Sequence, residues 1–310
     1  MKKTCTLLLL TLTLLAARPA LAWDALGHEV IALIAWEHMR PETRARAVEL
    51  LKAAPADADL ANLLPNDGRP LAERERELFL RAATWPDIVR DEAFAARRKK
   101  YHQSNWHYVN YYWELDENGQ PRNVDRLRPQ EVNIVERLHA LERIVADPGR
   151  DASLRAVDLA WFLHLEGDLH QPLHSSSRVT ATEPEGDRGG GLFKLNGDDL
   201  HWYWDSLLSK VFRQRRHESD ARRVERVAGL IQEHYPRSSF KDLEAGQYEA
   251  WARKGFETSK SFVYQNVERG RTPGRPYRKA AFEEVVEPAV ALAGYRLAEL
   301  LDRMLGGPPA

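Results

Sequence analysis

Cysteine is almost absent from this sequence. Its 310 residues include one, Cys5, which lies just before the first apolar segment, residues 7–17. Two lysines precede this segment and an Ala-x-Ala pattern follows it, as in a cleaved export signal. We therefore expect residues 1–22 to be removed as a signal peptide, so that the mature chain begins at Trp23. That chain would hold no disulfide, in spite of an oxidising destination in the periplasm or outside the cell.

Long apolar runs and an excess of basic charge are also absent. Beyond the leader, no apolar stretch reaches the roughly 20 residues that span a membrane. The leader takes three of the 45 basic residues and none of the 46 acidic ones, so the formal charge changes from −1 to −4. A negative chain does not attract a polyanion through its overall charge, unless bound cations reverse the local field. Because the mature chain would hold no disulfide, we expect its stability to depend on a sizeable core and on metal ions.

The periodicity of the apolar residues is overwhelmingly helical. They recur at a spacing of three to four in segments 30–39, 45–51, 132–145, 154–165, 207–212 and 282–305. The clearest strand signal is a short hairpin near 192–199, with Asn196-Gly197 at its turn. No linker divides the mature chain. These patterns predict an all-α, compact, single-domain fold over residues 23–310 with one small β-hairpin.

The densest chemical signal is a cluster of histidine and aspartate near the middle of the chain. His164 and Asp168 are four residues apart on a predicted helix, so both side chains project from one face. Pro172 ends that helix, and the turning chain can return His174 towards the same place. Imidazole and carboxylate at this spacing are ordinary zinc ligands.

A second pair, His201 and Asp205, has the same four-residue spacing. Either pair alone is a weak signal, since a pair of this kind is more often a surface ion pair or a helix cap. Both pairs, however, lie in apolar and aromatic sequence, where isolated ionisable groups are costly. Together they favour metal binding.

Three further pieces point to the same chemistry. Asp87 is followed by Arg90, His107 lies between two aromatic residues, and Trp23 at the expected mature terminus is followed by His28. A terminal amine is partly neutral near pH 7, so the amine and carbonyl of Trp23 can chelate a metal together with His28. The candidate ligands suffice for three zinc ions and are Trp23, His28, Asp87, His107, His164, Asp168, His174, His201 and Asp205.

In this order and spacing, the residues closely resemble the S1/P1 family of secreted, single-strand-specific nucleases and 3′-nucleotidases. That family shares its all-helical fold with the bacterial zinc phospholipases C, and the resemblance covers essentially the whole mature chain. It implies one zinc on Asp87, His107, His164 and Asp168, a close neighbour on His174, His201 and Asp205, and a third on Trp23 and His28 with Asp168 as a bridge.

The resemblance also implies a reaction. A hydroxide shared by the close pair attacks phosphorus with Asp87 orienting it, the third zinc stabilises the departing 3′-oxygen, and Arg90 neutralises the phosphoryl oxygens. Tyr108 would stack on a base, and Asn110 stands where members carry an aspartate that contacts the base. We therefore expect an exported, zinc-dependent endonuclease that cuts single-stranded DNA and RNA to 5′-phosphate products and hydrolyses 3′-nucleotides.

The chain departs from the family pattern at two further positions. Asp24 replaces a usual glycine beside the terminal chelate. Gly191 replaces a usual asparagine, for which we expect altered support of its loop but no loss of metal.

Two other interpretations stay open. One is a zinc phospholipase C, although phospholipases of this fold carry glutamate at the position of Asp205. Because both reactions attack phosphodiesters, a phospholipid side activity is compatible with the leading interpretation. The other is a non-catalytic, zinc-stabilised binding protein, which would not need Arg90. The sequence indicates no obligate protein partner.

Six histidines fall outside the ligand set, namely His38, His102, His139, His170, His217 and His234. We interpret them as surface or structural residues. His170 is six positions beyond His164 and is expected to point away from the ligand face of the helix.

Overall fold

A computed structural model describes residues 23–241, 243 and 245–307, so the predicted signal peptide lies outside the described residues. Within these ranges the α-helices are α1 (Ala25–His38), α2 (Pro41–Lys52), α3 (Leu71–Ala82), α4 (Trp85–Ile88), α5 (Ala95–Tyr101), α6 (Ile134–Ala146), α7 (Ala152–Leu169), α8 (Leu200–Asp205), α9 (Leu207–Val211), α10 (Asp220–His234), α11 (Tyr248–Thr258), α12 (Arg275–Ala280) and α13 (Glu287–Leu305). The prediction of a mostly helical fold is confirmed. No helix within the described ranges has the length and apolar character needed to cross a membrane.

Helix α1 is central to the fold because most of its residues are buried. It packs against α13, α10, α3 and α7. The carboxylate of Asp24 caps its first turn by accepting a hydrogen bond from the Gly27 amide at 3.2 Å. Gly294 permits the close approach of α13, since a Cβ atom at that position would lie 2.5 Å from the Cβ of Ile34.

Helix α7 is the second central element, and its C-terminal half is completely buried. It begins at Ala152, and the carboxylate of the preceding Asp151 caps it by accepting hydrogen bonds from the Ser153 and Leu154 amides. It ends at Leu169, and a 3₁₀ turn over Pro172–Ser175 follows. This confirms that the helix ends before Pro172 and that the chain turns directly afterwards.

A small three-stranded sheet, absent from the prediction, flanks the helices. It consists of β1 (Tyr111–Leu115), β2 (Pro121–Asn123) and β3 (Ser176–Arg178), in the order β2-β1-β3. Strand β1 pairs antiparallel with β2 and parallel with β3. The parallel pair joins the segment after His107 to the segment after His174, and so brings two candidate ligands together.

The predicted hairpin near 192–199 is present only as a single antiparallel bridge between Lys194 and Asp199. Gly197 occupies the turn with a φ of +93°. The pairing extends no further, because the Asp199 carboxylate already caps α8 by accepting from the Trp202 amide at 2.9 Å.

Candidate metal centre

The floor of the candidate site is the last two turns of α7. His164 and Asp168 project from one face of this helix, and the His164 Nε2 lies 3.4 Å from the Asp168 Oδ2. Both side chains are inaccessible to solvent. The turn at Pro172 brings His174 back beside them, with its Nδ1 within 3.9 Å of the same oxygen. As predicted, His164 and Asp168 lie on one face of the helix, and the turn after Pro172 returns His174 to them.

Asp168 connects two neighbouring groups of side chains. Its Oδ1 lies 3.2 Å from the Nε2 of His28, which comes from α1. Its Oδ2 lies 2.9 Å from the Nδ1 of His107, which comes from the 3₁₀ turn Ser104–His107. One carboxylate thus faces two histidines from elements far apart in the sequence.

Three groups of side chains within the described ranges have ligand atoms close enough to hold a metal ion. Within each group the candidate atoms all lie within 4.8 Å of one another. The groups are His28, Asp87 and His164; His107, His164 and Asp168; and His174, His201 and Asp205. Below they are called the His28, His107 and His174 groups.

The groups share side chains. The resemblance implies that Asp168 bridges to the ion at His28 and that the His107 and His174 groups hold the close pair, and this assignment stays a prediction. In the structure, His164 belongs to both the His28 and the His107 groups, and Asp168 faces members of both. The His174 group has a carboxylate of its own, Asp205, which lies 3.5 Å from the Nε2 of His201.

Backbone carbonyls orient three of the imidazoles. The Nδ1 of His164 donates to the Ala83 carbonyl at 2.8 Å, and the Nδ1 of His174 donates to the His107 carbonyl at 2.6 Å. The Nδ1 of His201 donates to the Gly189 carbonyl at 2.8 Å. A proton on Nδ1 leaves the lone pair on Nε2, which is the usual arrangement behind a metal-binding histidine.

Several of the candidate ligand atoms are buried and have no hydrogen-bond partner among the described residues. Within the described residues, no hydrogen bond reaches the Nε2 of His28, His107 and His174, the Oδ1 of Asp168 or the Oδ2 of Asp205. Buried polar groups are rarely left in this condition, because each costs about 1–3 kcal/mol. Cations between these nitrogen and oxygen atoms would satisfy them, so the residues present fit zinc.

Burial shifts the pKa values of these groups in the directions that a metal exploits. It lowers the pKa of His28 to about 4 and holds the pKa of His107, His164 and His174 well below the ordinary value. The imidazoles are therefore neutral and free to ligate. Burial also raises the pKa of the Asp168 and Asp205 carboxyls well above the usual range. Bound cations would oppose that rise by stabilising the ionised form.

Trp23 lies beside the centre and is completely buried. Its indole Nε1 donates to the carbonyl of Gly167 at 2.9 Å, one residue before Asp168. The amide of the next residue, Asp24, donates to the carbonyl of Asp205 at 3.1 Å. The first described residue is thus attached to both segments that carry buried carboxylates, while its chelation of a metal stays a prediction.

Asp87 and Arg90 are adjacent at the edge of the centre. The short helix α4 contains Asp87, and the Arg90 guanidinium lies 3.2 Å from the Asp87 Oδ1. Burial raises the pKa of Asp87 to about 6, while Arg90 and His28 oppose the shift. The pair therefore places a cation and a buried carboxylate next to the ligand groups.

A cleft of about 760 Å³ opens onto this floor. His107, His174 and His201 line it together with Arg90, and the two predicted substrate-binding residues, Tyr108 and Asn110, form part of its wall. Its size lies in the upper half of the range of small-molecule sites. The cleft thus joins the candidate ligands to the candidate substrate contacts.

Two features of the cleft were missed by the sequence analysis. His102 lines the wall, although it was interpreted as a surface or structural residue. Residues 182–186 and Arg188 also line the cleft and form its rim. No periodic pattern marks these loop residues, and only their nearness in sequence to His107 and Gly189 could have drawn attention to them. His170, in contrast, is a satisfied structural residue as expected, bonded to the Glu166 carbonyl and to Arg296.

The fold and the site define a class of protein, a mostly helical one whose cleft ends on groups of side chains that could hold metal ions. The family model for S1/P1 nuclease matches residues 23–306, and the chain belongs to this family. Endonuclease 4 of Arabidopsis thaliana is 24% identical to it over 314 residues, 94% of this chain and 91% of the relative. Endonuclease 2 of the same plant is 24% identical over 326 residues, 97% of each chain. The protein is accordingly a nuclease, a hydrolase of phosphodiester bonds.

Proposed function

We propose that this nuclease is a zinc-dependent endonuclease that cuts single-stranded DNA and RNA to 5′-phosphate products and also hydrolyses 3′-nucleotides. One observation carries the proposal: three groups of buried candidate ligands meet at the floor of a cleft whose wall holds an arginine and a partly exposed tyrosine. A non-catalytic zinc protein has no need of such an open cleft.

The ligands would be distributed over three zinc ions. Asp87, His107, His164 and Asp168 would hold one ion, and His174, His201 and Asp205 would hold its neighbour. The amine and carbonyl of Trp23 would hold the third together with His28, with Asp168 as the shared carboxylate. Zinc bound there would neutralise phosphate oxygens, lower the pKa of water and stabilise a departing alkoxide.

Arg90 and Asp87 would act on the reacting phosphate. The Arg90 guanidinium lines the cleft and can donate to phosphoryl oxygens as negative charge develops on them. The Asp87 carboxylate, held 3.2 Å from Arg90, would orient the attacking water. Attack on phosphorus with departure of the 3′-oxygen leaves a 5′-phosphate on one product and a 3′-hydroxyl on the other.

Tyr108 and Asn110 would bind the base on the 3′-oxygen side of that bond. Tyr108 is partly exposed on the cleft wall, so its ring can stack on a base. Every base has a π-face, and stacking therefore accepts any sequence but requires an unpaired strand. Asn110 offers an amide in place of the carboxylate usual in the family, for which we expect weak base discrimination.

Export belongs to the same proposal. Cleavage before Trp23 would free the amine of a residue that is buried and attached to Gly167. The mature protein would then work in the periplasm or outside the cell.

The test is a comparison of substrates with the processed protein. A single-stranded oligonucleotide and 3′-AMP should be hydrolysed, with 5′-phosphate and 3′-hydroxyl ends on the oligonucleotide products, whereas 5′-AMP should be nearly inert. Rapid hydrolysis of 5′-AMP, or 3′-phosphate products, would contradict the proposed direction of cleavage. Inactivity on all three substrates, alongside rapid hydrolysis of phosphatidylcholine, would make the protein a phospholipase.

A further inference from the structure

Arg188 is an unusual residue on the rim of the cleft. Its side chain is exposed and lines the cleft, and in the described part of the chain its guanidinium forms neither an ion pair nor a hydrogen bond. By comparison, Arg226 and Arg303 are paired with glutamates. The φ of Arg188 is +56°, in the left-handed region that residues other than glycine rarely adopt. Strain of this kind persists where the surroundings impose it, and it concentrates at functional sites.

The loop around Arg188 is fixed by its neighbours. The buried Asp187 carboxylate accepts hydrogen bonds from the Arg178 amide at 2.9 Å, the Gly190 amide at 3.1 Å and the Tyr264 hydroxyl at 2.7 Å. The amide of Arg188 itself donates to the Ser177 hydroxyl at 3.2 Å. The backbone therefore holds this arginine in one place without any contribution from its side chain.

The same loop reaches the candidate metal centre at the next residue. The carbonyl of Gly189 accepts from the Nδ1 of His201, and its α-carbon packs so closely on the Leu173 carbonyl that a Cβ atom would lie 2.4 Å from that oxygen. Arg188 thus stands one residue away from the backbone that orients a member of the His174 group.

The cleft therefore offers two cations at different depths. Arg90 is nearly buried beside Asp87 at the floor, while Arg188 is exposed at the rim. The acidic charge nearby is partly compensated, because Glu183 is paired with Arg269 at 2.6 Å. Glu185 is the remaining acidic side chain of the rim.

We propose that Arg188 binds the phosphate next to the scissile one, and so favours polynucleotides over 3′-mononucleotides. This inference rests on the proposed nuclease function. A polynucleotide carries a phosphate on every nucleotide, so a strand whose scissile phosphate lies at the floor presents another to the rim. A 3′-mononucleotide has no second phosphate and gains nothing from Arg188.

The experiment compares Arg188→Gln with wild type on a single-stranded DNA 12-mer and on 3′-AMP. The KM for the 12-mer should rise about tenfold, since a charged hydrogen bond to phosphate is lost. The slope of log(kcat/KM) against log[NaCl] should become shallower by about 0.7, the value for one phosphate contact on a single strand. On 3′-AMP both kcat and KM should be unchanged, and so should the zinc content.

Two further variants isolate the contact. Arg143→Gln removes an exposed arginine of α6 that does not line the cleft, and it should change none of these values. Arg188→Gly relieves the left-handed backbone, so it should fold at least as stably as wild type and yet show the same loss on the 12-mer.

The possible results separate the two proposals. Equal losses on the 12-mer and on 3′-AMP, or no loss on either, would overturn the role of Arg188 while leaving the nuclease function intact. A wild-type protein inactive on both substrates would overturn the proposed function itself.

Discussion

At the scale of single residues, Asp168 has the most demanding position in the site. Each of its oxygens faces a histidine from a different element. We expect Asp168→Ala to lose bound zinc and at least about a hundredfold in rate on 3′-AMP. Zinc analysis of the purified variant, together with steady-state kinetics, measures both effects.

His170→Ala is the control for Asp168, because it changes a buried residue of the same segment that faces away from the ligands. His170 bonds to the Glu166 carbonyl and to Arg296, so its loss should cost about 1–3 kcal/mol of unfolding free energy. Zinc content and kcat should stay at wild-type values. Intact activity in Asp168→Ala, with zinc lost from His170→Ala, would mean that the wrong face of α7 carries the ligands.

Asp158 offers a test of burial at a residue remote from the metal ligands. Burial raises its pKa from 3.8 to about 6, with Arg150 and Arg137 opposing the shift. The folded state therefore bears the cost of an ionised carboxylate above pH 6, and this cost disappears as the pH falls from about 6 towards 4. Asp158→Asn should be more stable than wild type at pH 7.5 by about 1–2 kcal/mol, a figure reduced for partial exposure.

The pH dependence is the decisive part of that measurement. Urea unfolding at pH 7.5 and at pH 5, with zinc present throughout, should show the advantage of Asp158→Asn shrinking at the lower pH. Asp125→Asn, at an exposed position without an ion pair among the described residues, should differ from wild type at neither pH. An advantage that grew as the pH fell would reverse the assigned sign.

At the scale of elements, the loop 187–191 shows how a site is supported from outside its ligands. Gly189 has a φ of +61°, and its carbonyl orients His201. A Cβ atom there would meet the Leu173 carbonyl at 2.4 Å and the His201 Nδ1 at 3.2 Å. We expect Gly189→Ala to displace that carbonyl and to weaken zinc binding in the His174 group by about 10–100-fold, measured by titration with a chelator.

Gly197→Ala is the matched control for this substitution. Its φ of +93° is equally unfavourable for alanine, but no atom lies within 4 Å of the added carbon. It should lose about 1–2 kcal/mol of stability and keep its zinc affinity. Equal zinc loss in both variants would show that general destabilisation, not the orientation of His201, is responsible.

The sequence predicted the helices better than the strands, for a physical reason. Each of the six segments with strong apolar periodicity coincides with a helix over most of its length, and the last one begins in the π-helical turn Ala281–Val286 that precedes α13. In contrast, α3 and α10 carry narrow apolar stripes within highly charged sequence and show no clear periodicity. No local pattern in the sequence predicts the sheet, because β3 is a short polar segment and its parallel partner β1 lies more than 60 residues earlier.

The candidate site, like the fold, could be predicted from the sequence only in part. Helical spacing could be read from the sequence for His164 with Asp168 and for His201 with Asp205, and the structure brings both pairs to the centre. The position of Asp168 between His28 and His107 depends on how α1 packs on α7. No spacing encodes this packing, and only the resemblance implied Asp168 as a bridge. His102 and Arg188 lie on loops, where position follows from tertiary contacts alone.

At the scale of the whole molecule, the candidate ligands tie together elements from α1 to α8. They would act in place of disulfides, which a chain with one cysteine cannot form within itself. Because ligands in separate elements are brought together only by folding, zinc binding should contribute directly to the free energy of folding. If Trp23 is the first ligand as proposed, a change there should therefore alter metal content as well as rate.

The terminus allows this coupling to be tested with one extra residue. Trp23 is buried, its indole bonds to Gly167, and the amide of Asp24 bonds to the Asp205 carbonyl, so its main chain cannot easily move. A methionine added before Trp23 turns the free amine into an amide, which no longer ligates.

Processed protein should hold about three zinc ions and the methionine form about two, with much lower activity. Elemental analysis of both forms after identical dialysis decides the matter, and the exported, processed form of the same gene is the control. Equal zinc content and equal activity would show that the amine of Trp23 is not a ligand.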